Sequence, residues 1–360
     1  MARDDLLLPP EHRDHLAAFF EPRAAAVDAG AAGVKEGIAF VADGALAPSA
    51  GLHPGAAPND DLLRVAETIA TVAWSDMSTA FSLWCQRMVL EYLGWAPAGS
   101  PPHDLALPQL LRTERLGSTA LASAMAHHVS GAPLPLTARR AGNALVLNGR
   151  VPWASNLFQP DFYMVTAVAD ADDGRALFVV VPGDTPGLRI APQPSLLALQ
   201  ATGSSSAILD DVRIGVDWCL TADFTPFIAR VRPTFLLLQS SFCWGLARRA
   251  LTEARAALHG VNEVLRPDLD ELEAMAARLA RQIRCGVHDR RALPATRDAV
   301  QIRLAAARLA TAAVALEAKA LGGRGYVSGS ATARRVREAA FLPIQSPTEG
   351  QLRWELSRSA

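Results

Sequence analysis

The chain has 360 residues, half of them apolar, which is long enough for more than one domain and a large buried core. Its formal net charge of −1 at pH 7 argues against a nucleic-acid partner. The four cysteines lie far apart and predict neither disulfides nor a metal site, and the acidic N-terminus without a long apolar segment predicts a cytoplasmic protein with no membrane partner.

Residues 1–112 predict an N-terminal helical domain. The stretches "PEHRDHLAAFFEPRAAAVDAG" and "NDDLLRVAETIATVAWSDMSTAFSLWCQRMVLEYLGW" place apolar residues at helical spacing. Asn59 or Asp60 is expected to cap the second stretch. Three tryptophans are expected in the core: Trp74, Trp84 and Trp95.

Residues 113–218 predict a middle β-barrel domain. Short β-type runs such as "ALVLNG", "DFYMVTAV" and "ALFVVVP" follow one another between about 137 and 214. The sequence "DADDG" after Val168 indicates a hairpin, and Gly149 indicates a turn between two strands. Five or more short strands at this spacing are typical of a small barrel or sandwich.

Residues 219–360 predict a C-terminal helical bundle of three long helices and one short helix. The first is expected to have Pro233 in its first turn and to end at Gly260. Asp268 and Glu271 form a capping-box pattern at the start of the second. The third is expected to end at the pair Gly322–Gly323. The fold class is thus mainly α with a small β-domain in the middle.

Two stretches then carry a specific resemblance. "LNGRVPWASN" places a tryptophan and a hydroxyl residue two positions apart, and "ALGGRGYVSGSATARRVREAAFLPIQ" contains a GGxGY run, a short helix and a polar loop. Together with the order helices, strands, helices, they resemble the acyl-CoA dehydrogenase superfamily. The resemblance implies that fold, FAD as the cofactor, and a homo-oligomer, either a dimer or a homotetramer.

The resemblance also implies a cofactor site. Trp153 stands where the family's tryptophan lies against the flavin, and Ser155 stands where its hydroxyl donates toward flavin N5, the atom that receives hydride. A tryptophan that closes the barrel and a serine in a turn remain the structural alternative, as does a simple helix C-cap for the glycine pair. The full set of implied cofactor contacts is Ser118, Thr119, Trp153, Ser155, Gly322, Gly323, Gly325, Tyr326 and Thr348.

The loop "FLPIQSPTEGQL" resembles the segment that carries the family's catalytic glutamate, which removes the substrate α-proton. Ser346 occupies that position here, and a hydroxyl cannot replace a carboxylate as a base without a partner. Glu349 is the alternative base, or else a solvated acid at a helix start. The family's second base position falls near Phe235, which is not an acid. The substrate contacts implied are Arg232 and Gln239.

Other departures leave three functions open. The family's elements that hold the FAD of a neighbouring subunit are missing between 258 and 274, and Ala229 replaces an acid that contacts CoA. A flavin-dependent dehydrogenase would oxidise an acyl thioester, bound to CoA or a carrier protein, and pass electrons to an electron-transfer flavoprotein. A flavin monooxygenase of the same fold would take reduced flavin from a flavin reductase and use O₂ on a small molecule. A non-catalytic subunit would pair with an active homologue.

Overall fold

The computed structural model describes residues 5–42, 61–288 and 295–358. Helices occupy the described chain up to Leu111, strands lie between Leu116 and Thr221, and helices return from Phe224 onwards. This order confirms the predicted fold class of a mainly α protein with a small β-domain. The caps predicted at Asn59 and Asp60 lie outside the described residues.

In the part of the chain that the structure describes, six helices precede the first strand. They are α1 (Pro10–Phe20), α2 (Ala24–Asp28), α3 (Lys35–Phe40), α4 (Asp61–Ser75), α5 (Met77–Leu93) and α6 (Leu107–Leu111), with a π-helical turn at Pro102–Ala106 before α6. The long second stretch therefore breaks into two helices. Asp76 causes the break, because its extended backbone begins α5 and its carboxylate accepts from Thr79 N at 3.0 Å.

Eight strands of the described chain form one mixed sheet. They are β1 (Leu116–Ala120), β2 (Leu136–Ala141), β3 (Ala144–Ala154), β4 (Phe162–Asp170), β5 (Ala176–Pro182), β6 (Leu188–Ile190), β7 (Ser205–Gly215) and β8 (Cys219–Thr221), with helix α7 (Ala122–Ser130) between β1 and β2. Their order is β6-β7-β3-β2-β4-β5-β8, and β1 pairs parallel with β4.

The "DADDG" hairpin prediction is confirmed, because β4 and β5 pair antiparallel around it. The turn predicted at Gly149 is wrong. β3 is continuous there, and Gly149 has a φ of 129° at an irregularity in the pairing with β7. A Cβ on Gly149 would lie 2.3 Å from Pro135 O, so this close approach of backbones explains the glycine.

Six helices follow the strands within residues 224–288 and 295–358. They are α8 (Phe224–Ala257), α9 (Arg266–His288), α10 (Thr296–Leu321), α11 (Gly323–Tyr326), α12 (Ala331–Phe341) and α13 (Glu349–Arg358), with a 3₁₀ segment at Gly260–Leu265. Pro233 lies inside α8 rather than in its first turn, and α8 ends before Gly260. Asp268 is in the first turn of α9 rather than at its N-cap, because the helix already begins at Arg266. Helix α13 was anticipated only by the alternative that Glu349 is an acid at a helix start, and Glu349 does lie in its first turn.

The strands separate two hydrophobic cores. In β4, Tyr163 and Val165 pack into the larger core with the helices, whereas Phe162 and Met164 pack into a second core among the strands. Both faces of this strand are therefore buried, as alternation along a strand dictates. The three predicted tryptophans pack in or against the larger core, with Trp84 buried and Trp74 and Trp95 partly buried.

Helix α10 is the one described helix that is long and apolar enough to resemble a membrane span by length and composition. Its apolar window is 67% buried inside the molecule. Such burial is what the core helix of a bundle requires.

Candidate functional site

A cavity of about 400 Å³ lies where the strands meet the helical bundle. Its wall is mostly apolar and is drawn from segments far apart in the sequence. From α5 come Phe81, Trp84 and Cys85; from β1, β3 and the segments that follow β1 and precede β7 come Thr119, Leu121, Ala122, Trp153, Ala154, Ser155, Leu196, Leu197, Ala198, Leu199, Thr202 and Ser204; from the bundle come Phe235, Arg337, Ala340, Phe341, Ile344, Gln345 and Ser346.

Four of the residues singled out in the sequence line this cavity together: Thr119, Trp153, Ser155 and Ser346. Trp153 is at the end of β3 and 56% exposed, so its ring is open to a ligand. Thr119 lies on β1, where its hydroxyl meets Tyr92 Oη at 3.2 Å. The cavity thus brings the tryptophan motif and the polar loop to one place, although 190 residues separate them.

Three further candidates lie elsewhere. The Glu349 carboxylate pairs with the Arg308 guanidinium at 2.8 Å and is not part of the cavity wall. Thr348 is exposed, and its hydroxyl accepts from Gln351 N at the start of α13. Ser118 is fully buried on the opposite side of β1 from Thr119, since side chains alternate along a strand.

The glycine run also lies outside the cavity wall. Gly322 has a φ of 55° and ends α10, so the run includes the C-cap that its sequence allowed. Gly322 and Gly323 are exposed, Gly325 is buried, and Tyr326 is 91% exposed. Of the run, only Tyr326 presents a large apolar surface to solvent.

Arg232 serves the packing of helices rather than the cavity. It is 1% exposed and forms a bidentate pair with Glu355 of α13 at 2.5 Å. Such a buried, two-bond pair fixes α13 against α8.

Gln239 supports the cavity loop from beneath. Its Nε2 donates to Ser346 O at 3.0 Å, and its Oε1 accepts from Arg303 Nε at 3.0 Å. Arg303, which is fully buried, also donates to Leu342 O at 2.9 Å and to Gln345 Oε1 at 3.2 Å. Two buried side chains on α8 and α10 therefore hold the loop in place.

The Arg303 contact also orients Gln345. A guanidinium only donates, so the Gln345 oxygen must face it and Nε2 must face away. Nε2 is buried and has no hydrogen-bond partner among the described residues. A buried amide donor without a partner is destabilising unless a ligand or water satisfies it.

The cavity wall contains one charged side chain, Arg337, and no carboxylate among the described residues. Arg337 is neutralised by Asp28, whose carboxylate lies 2.6 Å from Nη2. Burial raises the pKa of the Cys85 thiol well above its usual range, so this sulfur stays protonated. The wall therefore offers aromatic surface and hydroxyl or amide groups but no ready proton acceptor.

Sequence reasoning missed most of this wall. Phe81, Trp84 and Arg337 lie on helices whose periodic pattern only predicts burial, and nothing local distinguishes a cavity wall from a core. Thr202 and Ser204 could have been suspected, because the run "ATGSSS" concentrates hydroxyls immediately before a strand. Phe235, placed by counting at the second base position, does line the cavity.

No family model matches the chain. Among curated proteins, it is 28% identical to the short-chain specific acyl-CoA dehydrogenase of Bos taurus mitochondria over 233 residues, which is 59% of this chain. The match spans about half, 55%, of the length of that relative.

Solved structures extend the similarity to the whole fold. Butyryl-CoA dehydrogenase from Megasphaera elsdenii superposes with a TM-score of 0.83 at 15% identity, covering 98% of both chains. FkbI, described as acting in biosynthesis of the methoxymalonyl extender unit of Fk520, superposes with a TM-score of 0.80 at 21% identity, covering 96% of this chain and 98% of its own. At these identities the structures establish a shared architecture.

Proposed function

Because the chain belongs to the acyl-CoA dehydrogenase superfamily of flavoproteins, we propose that it is an FAD-dependent oxidoreductase acting on an acyl thioester, bound to CoA or to a carrier protein. The observation that carries this proposal is the cavity itself. It joins the tryptophan–serine pair at the end of β3 to the polar loop after α12. The matched segment of the curated relatives is partial, so activity, substrate and partners are inferences from this site.

The wall fits a flavin. Trp153 offers an exposed aromatic face for a flat ring, and the hydroxyls of Thr119, Ser155 and Ser204 supply polar contacts along one side. Gln345 Nε2 is a buried donor in need of an acceptor, such as a ring or acyl carbonyl oxygen. When bound, FAD supplies the electron-accepting centre, while the chain binds, orients and excludes water.

Dehydrogenation is the first candidate reaction. It requires removal of an α-proton together with hydride transfer to flavin N5. Ser346, in the position of the family's glutamate, lines the cavity, whereas Glu349 is held by Arg308 outside it. Removal of the proton therefore falls to Ser346 with a solvent or substrate partner, or to Glu349 after its ion pair opens.

Oxygenation is the second candidate, and the missing carboxylate favours it. A monooxygenase of this fold needs an apolar cavity that shields reduced flavin from water, but it does not need an α-proton base. The described cavity wall meets both conditions. Its substrate would be a small molecule, because the cavity of about 400 Å³ must hold the flavin ring as well.

The partners follow from the reaction. The dehydrogenase would deliver electrons to an electron-transfer flavoprotein, and the monooxygenase would receive reduced flavin from a reductase. We also propose a cytoplasmic homo-oligomer, with exposed Tyr326 and the adjacent glycines facing the adenosine end of FAD from a neighbouring subunit. The domain limits proposed are 1–112, 113–218 and 219–360.

Anaerobic mixing separates the candidates. Loss of the oxidised flavin absorbance on addition of an acyl thioester supports dehydrogenation. Reduction only by an external reductase, followed by substrate-dependent O₂ consumption, supports oxygenation. A protein that binds FAD but performs neither reaction with a panel of CoA and carrier thioesters would be the non-catalytic subunit.

A further inference from the structure

Three hydroxyls at the cavity wall form a continuous chain. Ser155 Oγ lies 2.7 Å from Ser204 Oγ, and Ser204 Oγ lies 2.7 Å from Thr202 Oγ1. Thr202 Oγ1 in turn donates to the carbonyl oxygen of Leu199 at 2.7 Å. The last link is firmly held, because Thr202 is fully buried and Leu199 N is anchored by Asp28 Oδ1 at 2.8 Å.

The direction of every proton in this chain follows from its last link. A carbonyl oxygen can only accept, so the single proton of Thr202 points at Leu199. Thr202 Oγ1 must then accept a hydrogen bond from Ser204, and this bond uses the single hydroxyl proton of Ser204. Ser155 must therefore donate to Ser204, since Ser204 has no proton left.

We infer that Ser155 presents only lone pairs to the cavity, and thus acts as a fixed hydrogen-bond acceptor. Its ligand must carry an N–H or O–H at that point. This inference rests on the proposed function, with Ser155 meeting flavin N5 as the family resemblance implies. It reverses the donor role that the family resemblance implies for this hydroxyl.

The polarity selects one redox state of the flavin. Oxidised N5 is a bare nitrogen with a lone pair, which faces the Ser155 oxygen unfavourably. Reduced N5 carries an N–H group, which can donate a hydrogen bond to the Ser155 oxygen. The site therefore binds reduced flavin more tightly than oxidised flavin, and Ser204 and Thr202 are the positioning residues that set this preference.

Such a preference suits an enzyme that takes flavin already reduced. We expect a bias of roughly fivefold in the ratio of the two affinities, the factor that corresponds to one net hydrogen bond. For a two-electron couple, a fivefold change corresponds to about 20 mV. Because binding and reduction are linked, the same bias appears in the two-electron potential of the bound flavin.

The test compares the potential of bound flavin, measured against reference dyes, in four variants. Ser204→Ala frees the Ser155 hydroxyl, which can then donate to oxidised N5, so the potential should fall by about 20 mV. Thr202→Val removes the acceptor that orders the chain and should shift the potential in the same direction. Ser205→Ala is the matched control, because this neighbouring hydroxyl donates to Ala191 O instead and does not line the cavity.

In Ser155→Ala, the sign of the change in flavin potential distinguishes an acceptor from a donor at position 155. Loss of an acceptor lowers the potential, whereas loss of a donor raises it. The ratio of dissociation constants for reduced and oxidised flavin should change by the same factor in each variant.

A raised potential in Ser155→Ala, or an unchanged one in both Ser204→Ala and Thr202→Val, would overturn the inference while leaving the proposed function intact. Failure of the unaltered protein to bind flavin in either state would contradict both.

Discussion

Arg337 and Asp28 neutralise each other at the edge of a cavity wall that is otherwise uncharged over its described residues. In such a low-dielectric place each hydrogen bond is stronger than in water, and each unpaired donor is more costly. The few polar atoms on the wall therefore decide what binds. Among them, Ser346 occupies the position at which a carboxylate could act as the general base.

A pair of substitutions tests the source of the base. Glu349→Gln should change thioester-dependent flavin reduction less than about twofold, because Glu349 is paired with Arg308 outside the cavity. Ser346→Glu should raise that rate on the order of 10²-fold, the lower range of general-base catalysis. Stopped-flow reduction under anaerobic conditions measures both. A large loss in Glu349→Gln would instead assign the proton transfer to Glu349.

Glu338 predicts a pH-dependent stability. Burial raises the pKa of Glu338 to about 7, with Asp28 and Asp76 adding to the effect and Arg334 and Arg335 opposing it. The folded pKa lies above the ordinary value, so the stabilisation is complete below about pH 4.5 and is lost as the pH rises through about 7. The change amounts to about 3 kcal/mol.

Glu338→Gln should remove this dependence. The measurement is the free energy of unfolding by denaturant between pH 5 and 8, with Glu349→Gln as a control at a partly exposed carboxyl. The difference between the unaltered protein and Glu338→Gln should change by at least 1 kcal/mol over this range. A constant difference would show that Glu338 stays ionised in the native state.

At the scale of elements, the loop after α12 is held in place by polar side chains of two helices, α8 and α10. These side chains do not themselves line the cavity. Gln239 on α8 bonds Ser346 O and Arg303, and Arg303 on α10 bonds Leu342 O and Gln345. Movement of α10 against α8 would therefore be transmitted directly to the cavity wall.

Gln239→Leu should uncouple the loop. The substitution leaves Ser346 O and Arg303 Nε without their partner, which costs about 1–3 kcal/mol in unfolding free energy, and flavin affinity should fall as the loop loosens. Ser241→Ala on the same helix is the control, since that hydroxyl only returns to Leu237 O. Equal effects of the two variants on flavin affinity would argue against a role for Gln239 in positioning the loop.

Element boundaries illustrate what a local pattern can predict. The order of helices and strands follows from periodicity, because 3.6- and 2-residue repeats differ over any long window. The start of α8 does not follow from periodicity. Burial of Phe227, Ile228 and Val231 stabilises helix on the N-terminal side of Pro233. The break at Asp76 was detectable, since an aspartate three residues before Thr79 is a good N-cap, but the apolar period continues across it.

The candidate site shows a different limit. Trp153, Ser155 and Ser346 were found because family motifs are local in sequence. Thr202, Ser204, Gln345 and Arg337 were not found, because their importance arises from contacts between distant segments. No periodicity encodes the hydroxyl chain, which depends on how β3 ends beside the turn before β7.

At the scale of the whole molecule, α8 is the central helix against which other elements pack. Its 34 residues extend about 50 Å, and it packs against α4, α5, α9 and α10 as well as β5. It crosses α4 closely, because a Cβ on Gly245 would lie 2.1 Å from Ala70 O. The two helical regions on either side of the strands are therefore joined by direct contact of backbones.

Gly245→Ala should force this crossing apart and destabilise the protein by about 1–3 kcal/mol. Thermal and denaturant unfolding should shift as a single transition, because the larger core runs through both helical regions. Gly329→Ala is the control, since its Cβ would meet no atom within 4 Å. Equal stability of the two variants would contradict this packing.

The central claim is that the cavity between strands and bundle holds a flavin. The most direct measurement is a titration of the purified protein with FAD, oxidised and reduced, followed by absorbance and by quenching of flavin fluorescence. We predict one flavin per chain, with binding weakened at least tenfold in Trp153→Ala. A protein that binds neither form of FAD, or binds it equally well in Trp153→Ala, would contradict the account.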